Sequence, residues 1–158
     1  MSHHIHTETE IAAPAETVWA VLTEFDAYPE WNDYTRIQGE AEVGARLAVA
    51  PGPEAGRMPT FRPEVLRAGP LADGTGYELA WLGHLYVRGL FDGEHSFRIE
   101  ALGDGRCRLE QAASFSGLLV GPISRLFGDD TEANFRAVDE AVKTRAESLA
   151  ESRTTPAA

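Results

Sequence analysis

The chain has 158 residues, of which 43% are hydrophobic and 25% charged, and its formal net charge is −11. This length fits one soluble domain with a buried core, and no apolar run reaches the roughly 20 residues that span a bilayer. The negative charge disfavours nucleic acid and anionic membrane surfaces as partners, because phosphate repels an acidic protein. The amino terminus lacks the apolar stretch of a signal peptide, so we expect a cytoplasmic protein, as a monomer or a homodimer.

The first predicted elements are a strand and a helix. Residues 4–11 alternate polar and apolar side chains, which is typical of a half-buried strand. From Pro14 to about residue 24 the apolar residues recur at helical spacing, which predicts an amphipathic helix. Pro29 prevents this helix from continuing. The ring-rich segment EFDAYPEWNDY at 24–34 is therefore predicted to bend and to form at most a short second helix.

Short strand-like segments follow, separated by glycine and proline. They lie near 35–41, 45–50, 58–67, 76–82, 91–101 and 106–116. Together with the first strand they predict a consecutive antiparallel sheet of about seven strands. The clearest pair is 94–115, where an Asp104–Gly105 turn separates two alternating runs.

The last predicted element is a long amphipathic helix. Apolar side chains from Ile123 to Leu149 recur at helical spacing, with Arg and Glu on the other side. We expect this helix to run from 122 to 151 and the tail 152–158 to be flexible, so that residues 1–151 form a single domain.

The order of the elements and several short motifs resemble a known superfamily. The segment IAAPAETVWAVLTEFDAYPEWN at 11–32 resembles the opening of SRPBCC (START-like) proteins, specifically of their bacterial polyketide cyclase/dehydrase-like group. ELAWLG at 78–83, GLFDGEHSFRIE at 89–100 and FSGLLVG at 115–121 match the same group in the same order. The resemblance implies the helix-grip fold, an α+β arrangement in which a curved antiparallel sheet wraps around a long carboxy-terminal helix.

The resemblance implies a ligand cavity but leaves the function open. In this superfamily the cavity takes lipids, sterols, plant hormones or polyketides; some members are cyclases, aromatases or dehydratases, and many only bind or carry their ligand. One branch is a co-chaperone. We therefore expect a small hydrophobic ligand, with aromatic or polyketide-like molecules among the candidates. The alternatives are a polyketide cyclase or dehydratase that needs no cofactor, a non-catalytic lipid carrier, and a protein-interaction module.

Two polar side chains are the leading candidates for the cavity wall. If the hairpin turns at Asp104, residue 97 lies opposite 111 and residue 95 opposite 113, so His95 and Gln111 are diagonal neighbours on the inner face. An imidazole can act as acid or base near neutral pH, which makes His95 the candidate catalytic residue; ligand contact and a purely structural role are the alternatives. Gln111 needs partners or water, because an unsatisfied buried amide costs about 1–3 kcal/mol.

Aromatic and helical residues complete the expected site. The rings of Phe25, Tyr28 and Trp31 are predicted to close one end of the cavity. Plain core packing is the alternative for Trp81, and an ordinary helix boundary is the alternative for the pair 134–135. The residues expected to bind ligand are Tyr28, Trp31, Asn32, Trp81, His95, Phe97, Gln111, Phe115, Asn134 and Phe135.

The other reactive side chains are predicted to be bystanders. Cys107 lies in a predicted strand without a cationic neighbour, which favours a buried thiol over a nucleophile. His84 is expected on the outward side of its strand and exposed. His4 and His6 share a face, but no carboxylate at typical ligand spacing accompanies them, so we expect no metal. The glycines form no phosphate-binding pattern.

Overall fold

The structure is a computed structural model that describes residues 2–55, 60–84 and 87–154. Within these ranges the chain forms seven strands, two α-helices and a short 3-10 helix. The strands are β1 (Ser2–Ile11), β2 (Thr35–Gln38), β3 (Ala48–Pro51), β4 (Glu64–Pro70), β5 (Gly76–His84), β6 (Asp92–Gly103) and β7 (Arg106–Ser116). The helices are α1 (Ala15–Thr23), the 3-10 helix (Phe25–Glu30) and α2 (Val120–Thr154). Residues 58 and 59 of one expected strand, and 155–158 of the expected tail, lie outside the described residues.

Two prolines delimit the first helical region. Pro14 is extended, with φ −62° and ψ 151°, and α1 begins directly after it. Pro29 cannot donate a backbone hydrogen bond, so the chain after α1 turns into the 3-10 helix rather than extending the α-helix. The Tyr28 hydroxyl donates to the carbonyl of Leu22 at 2.6 Å and ties the two helices together. The predicted bend with a short second helix is present.

The seven strands are divided between two sheets. Five form one antiparallel sheet in the order β1-β7-β6-β5-β4, and β2 pairs with β3 in a separate ribbon. The ribbon is connected to β4 and the residues before it by isolated bridges, Arg46 with Glu64 and Val49 with Phe61. Pro63 lies between these bridges and has no N–H to donate, so a continuous ladder is interrupted there. The predicted strands are present, but they do not form one uninterrupted sheet.

The β6–β7 hairpin has the predicted register. Phe97 is paired with Gln111, and His95 with Ala113. The Asp104–Gly105 turn has φ values of 56° and 72°, the left-handed backbone that a tight two-residue hairpin turn needs. This turn pairs Gly103 with Arg106, and an irregularity between Ala101 and Gly103 then shifts the register by one residue, so the turn and the irregularity together fix which side chains of the hairpin face inward.

Helix α2 packs against β1, β7 and α1. It begins at Val120, and Pro122 falls in the first turn, where a missing N–H leaves no helical hydrogen bond unmade. Val138 and Val142 lie on its buried face. The helix continues to Thr154, beyond its predicted end at 151. A curved antiparallel sheet around one long helix confirms the predicted helix-grip fold, and none of the described helices is long and apolar enough to cross a membrane.

His84 is half-buried rather than exposed. Its Nδ1 lies 2.7 Å from Oδ1 of Asp92, because the end of β5 pairs these two residues directly across from the start of β6. The backbone N–H of Gly89 also donates to Asp92, and this bond, followed by the contact with His84, lowers the pKa of the carboxyl. Strand alternation gave the direction of His84 but did not reveal this partner.

Candidate functional site

A largely apolar cavity lies between the inner face of the sheet, the β2–β3 ribbon and helix α2. Its volume is about 180 Å³. For comparison, an engineered apolar cavity of about 150 Å³ holds a benzene molecule. The space therefore suits a ligand of about one substituted ring. Eight residues that the sequence predicted for the site line it: Tyr28, Asn32, Trp81, His95, Phe97, Gln111, Asn134 and Phe135.

Two predicted residues lie elsewhere. Trp31 packs edge-on against Tyr28, with ring centroids 4.7 Å apart, but it faces a separate shallow groove beside Arg145. Phe115 has the inward direction that alternation assigns to it, yet its ring is stacked on Phe91 at a centroid distance of 5.3 Å, near the end of β7. Neither ring lines the cavity, because alternation along a strand fixes a face of the sheet and not a position along it.

The β2–β3 ribbon and its surroundings supply wall residues that sequence analysis missed. They are Tyr34, Thr35, Ile37, Val49, Ala50, Pro51, Ala55 and Phe61. These residues lie in short segments rich in glycine and proline, whose long-range pairing no local pattern specifies. The ribbon thus forms a wall of the cavity in addition to the wall formed by the predicted hairpin.

A chain of hydrogen bonds connects the cavity to helix α2. Nε2 of His95 lies 2.9 Å from Oε1 of Gln111. The Gln111 amide nitrogen donates to Oδ1 of Asp139 at 2.7 Å and to the backbone carbonyl of Phe135 at 3.1 Å. The diagonal pair predicted from the hairpin therefore makes direct contact, and its amide is satisfied by protein groups.

Aromatic rings surround the imidazole of His95. Its ring is stacked on Phe97 and on Phe135, each at a centroid distance of 4.8 Å, and Trp81 lies 5.1 Å away. The residue is only half-buried because it lines the cavity, but protein atoms enclose the ring. Burial lowers the pKa of His95 to about 4, and the hydrogen bond to Gln111 opposes this shift. The imidazole is therefore neutral at pH 7.

Asp139 is the main polar residue of the site that sequence analysis missed. It is 3% exposed, and burial raises the pKa of its carboxyl against the opposing effects of Thr7 and Gln111. The buried Thr7 hydroxyl acts on the carboxyl although its geometry falls short of a full hydrogen bond. The sequence does contain an indication that Asp139 is buried. Position 139 continues the apolar stripe of Phe135, Val138 and Val142, where a helix would normally carry an apolar residue.

Asn32 is fully buried, and its side-chain NH₂ group is unused. Its Oδ1 accepts the backbone N–H of Tyr34 at 2.8 Å and of Thr35 at 3.0 Å. Its Nδ2 has no hydrogen-bond partner among the described residues. An unmade buried hydrogen bond costs about 1–3 kcal/mol. Because Nδ2 is itself buried, an acceptor in the adjoining cavity reaches it only after a small movement of the Asn32 side chain.

Two further groups of reactive side chains lie apart from the cavity. On the outer face of the sheet, His6, Glu8 and Glu110 place one ligand atom each within 4.8 Å of one another, a grouping the sequence did not reveal because Glu8 and Glu110 meet only through strand pairing. Exposed groups of this kind are common without an ion. Cys107 is buried, and burial, followed by the charge of Glu16, raises the pKa of its thiol to about 11, which leaves it unreactive.

The sheet, the long helix and the cavity between them define a protein of the helix-grip class. The sequence also identifies the family. Residues 2–152 match the model of the family described as "Polyketide cyclase / dehydrase and lipid transport", and the chain belongs to that family. This agrees with the predicted membership of the START-like superfamily. No protein among the curated sequences matches the chain.

Several solved structures share the fold. The Zhui aromatase/cyclase from Streptomyces sp. R1128 is similar with a TM-score of 0.73 and 20% identity, over 99% of this chain and 100% of that one. A START superfamily protein from Mycobacterium smegmatis is similar with a TM-score of 0.60 and 21% identity, over 96% of this chain and 99% of that one. Norcoclaurine synthase from Thalictrum flavum, in complex with dopamine and hydroxybenzaldehyde, is similar with a TM-score of 0.64 and 17% identity, over 99% of this chain and 90% of that one. At these identities the likeness establishes the fold alone.

Proposed function

We propose that this protein binds a small, mostly apolar molecule in the cavity, with the polar end of that molecule at Asn32 and His95. The observation that carries the proposal is the cavity itself, which is lined mainly by apolar and aromatic side chains with Asn32 and His95 among its few polar residues. Ligand sites of this kind combine an apolar wall with a few polar groups that orient the ligand. The family to which the chain belongs, and its neighbours in fold, support a small-molecule ligand.

The first experiment blocks the cavity. Val49 lines it, and Val49→Phe should fill part of the space; Val43 is 68% exposed and provides the same substitution outside the site. We expect Val49→Phe to weaken binding of a one-ring probe such as p-cresol by tenfold or more, measured by calorimetry, while Val43→Phe leaves it unchanged. Equal binding by the two variants would contradict the proposal. Native mass spectrometry of the purified protein would show whether a molecule co-purifies.

A second candidate function is catalysis on a ligand that carries carbonyl groups. The neutral imidazole of His95 lies in the cavity, where it could assist enolisation or loss of water, and most of the rate would come from positioning of the ligand. His95→Ala should then abolish turnover and spare binding. Turnover retained by His95→Ala would exclude this role.

A non-catalytic carrier needs only the shape of the cavity and its polar anchors. It is distinguished from the enzyme by recovery of an unchanged ligand after prolonged incubation with the protein. The protein-interaction alternative requires an exposed apolar groove at which a partner can dock, whereas the site in this structure is a half-open cavity of about 180 Å³ between sheet, ribbon and helix.

A further inference from the structure

The orientation of the Gln111 side chain is fixed by its two partners on helix α2. One of them is the backbone carbonyl of Phe135, 3.1 Å from Nε2, and a carbonyl oxygen can only accept a hydrogen bond. The other is the carboxyl of Asp139, 2.7 Å from the same nitrogen. The amide NH₂ of Gln111 must therefore point to the helix. Its oxygen is left to point to His95.

This orientation determines which nitrogen of His95 carries the proton. Oε1 of Gln111 can only accept, and it lies 2.9 Å from Nε2 of His95, so Nε2 must be the N–H. The ring is neutral, because burial holds the pKa of His95 at about 4. A neutral imidazole has a single N–H. Nδ1 therefore carries a lone pair, and it makes no hydrogen bond with any of the described residues.

We infer that Gln111 is a positioning residue that holds His95 in the Nε2–H tautomer, so that the cavity presents Nδ1 as an acceptor and selects ligands with an O–H or N–H donor. The selectivity rests on the proposed function, whereas the tautomer does not. Asn32 offers the opposite polarity in the same cavity, since its free Nδ2 is a donor. The best ligand therefore combines a hydroxyl or amine for His95 with an acceptor for Asn32.

The tautomer is measured by ¹⁵N NMR of the side chains at pH 7, without any ligand. The chain has five histidines, and His95→Phe identifies the signals of His95. We expect a protonated Nε2 and a bare Nδ1 in the wild type. Gln111→Met removes the acceptor at similar length and should yield a mixture of tautomers. A proton on Nδ1 in the wild type would overturn the inference, and this result does not depend on whether the Gln111 variants fold.

Gln111→Glu is the conservative control. The introduced carboxyl, protonated between the Asp139 carboxyl and the Phe135 carbonyl, still offers its carbonyl oxygen to Nε2 of His95. The Nε2–H tautomer should therefore be retained in Gln111→Glu. If Gln111→Met also retains it, Gln111 is not the residue that fixes the ring.

The selectivity is measured with p-cresol and p-xylene, which have nearly the same shape but differ by a hydroxyl in place of a methyl group. His95→Phe gives the baseline ratio of the two affinities, because it keeps a ring of similar size without the acceptor. We expect the wild type to favour p-cresol by roughly tenfold over this baseline, and Gln111→Met to lose most of that preference. A wild-type ratio equal to the baseline would overturn the selectivity and leave the binding function intact. If neither probe binds, the proposed function fails, and the tautomer is still decided by NMR.

Discussion

The carboxyl of Asp139 accepts a 2.7 Å hydrogen bond from the amide of Gln111 and so connects helix α2 to strand β7 inside the protein. These residues are 3% and 1% exposed. Buried polar groups are stabilising only when they are paired, so each of the two depends on the other. Because Gln111 also contacts the His95 imidazole, this buried pair influences which hydrogen-bonding groups the cavity presents to a ligand.

The first prediction concerns Asp139→Asn. Burial raises the pKa of Asp139, so its contribution to stability is fully present below the unfolded pKa of about 3.9 and is lost as the pH rises through the folded value. An asparagine keeps an acceptor for Gln111 and does not titrate. Relative to wild type, the free energy of unfolding of Asp139→Asn should therefore increase from pH 4 to pH 7. Urea denaturation of both proteins across this range checks it, and a constant difference would contradict the assigned direction of the shift.

The second prediction separates the two functions of Asn32. Asn32→Asp keeps an oxygen for the N–H groups of Tyr34 and Thr35 but replaces the unused donor. It should fold and should bind 4-methylbenzaldehyde, which carries an acceptor, roughly tenfold more weakly. Asn32→Ala removes the oxygen as well, which should lower the free energy of unfolding by about 1–3 kcal/mol. Wild-type binding of the aldehyde by Asn32→Asp would show that Nδ2 does not contact the ligand.

The third prediction uses tryptophan fluorescence. Of the chain's three tryptophans, Trp81 lines the cavity, whereas Trp19 is stacked on Tyr77 at a centroid distance of 5.1 Å, outside it. A quenching probe such as 4-nitrotoluene should quench the wild type and Trp19→Phe, and Trp81→Phe should lose most of the saturable quenching. Persistent saturable quenching in Trp81→Phe would place the bound probe elsewhere.

The fourth prediction concerns Cys107. The thiol is completely buried, and its pKa is raised to about 11, so little thiolate forms at pH 8 and reagents cannot reach it. A disulfide-exchange reagent such as DTNB should leave the native protein unmodified over hours. The same reagent should titrate one thiol per chain after denaturation in urea, since the sequence has a single cysteine. Rapid labelling of the native protein would contradict the burial.

The parts of the site that could be predicted depend on local rules. The Asp104–Gly105 turn, together with the irregularity between Ala101 and Gly103, fixes the hairpin register, and alternation then places His95 and Gln111 together on the inner face. Alternation does not give the position of a side chain along the strand, which is why Phe115 has the predicted direction but lies outside the cavity. The pairing of the β2–β3 ribbon depends on contacts distant in sequence, and none of its wall residues was found. Asp139 was missed because a charged residue on a helix is assumed to face water.

The division of the strands into a sheet and a ribbon has a consequence for the rates of ligand exchange. The five-stranded sheet is paired continuously from β1 to β4, whereas the ribbon and the residues before it pair with residues 61–65 through a short ladder of five backbone hydrogen bonds, in which Pro63 cannot donate. An element held by a short, interrupted ladder opens at lower free energy than the continuously paired body of a fold. We therefore expect a ligand to enter and leave by transient separation of the ribbon, with amide hydrogen exchange at Val49 and Phe61 faster than at His95 and slowed by a bound ligand. In this protein the residence time of the ligand would be set by the ribbon and not by the continuously paired sheet that carries His95.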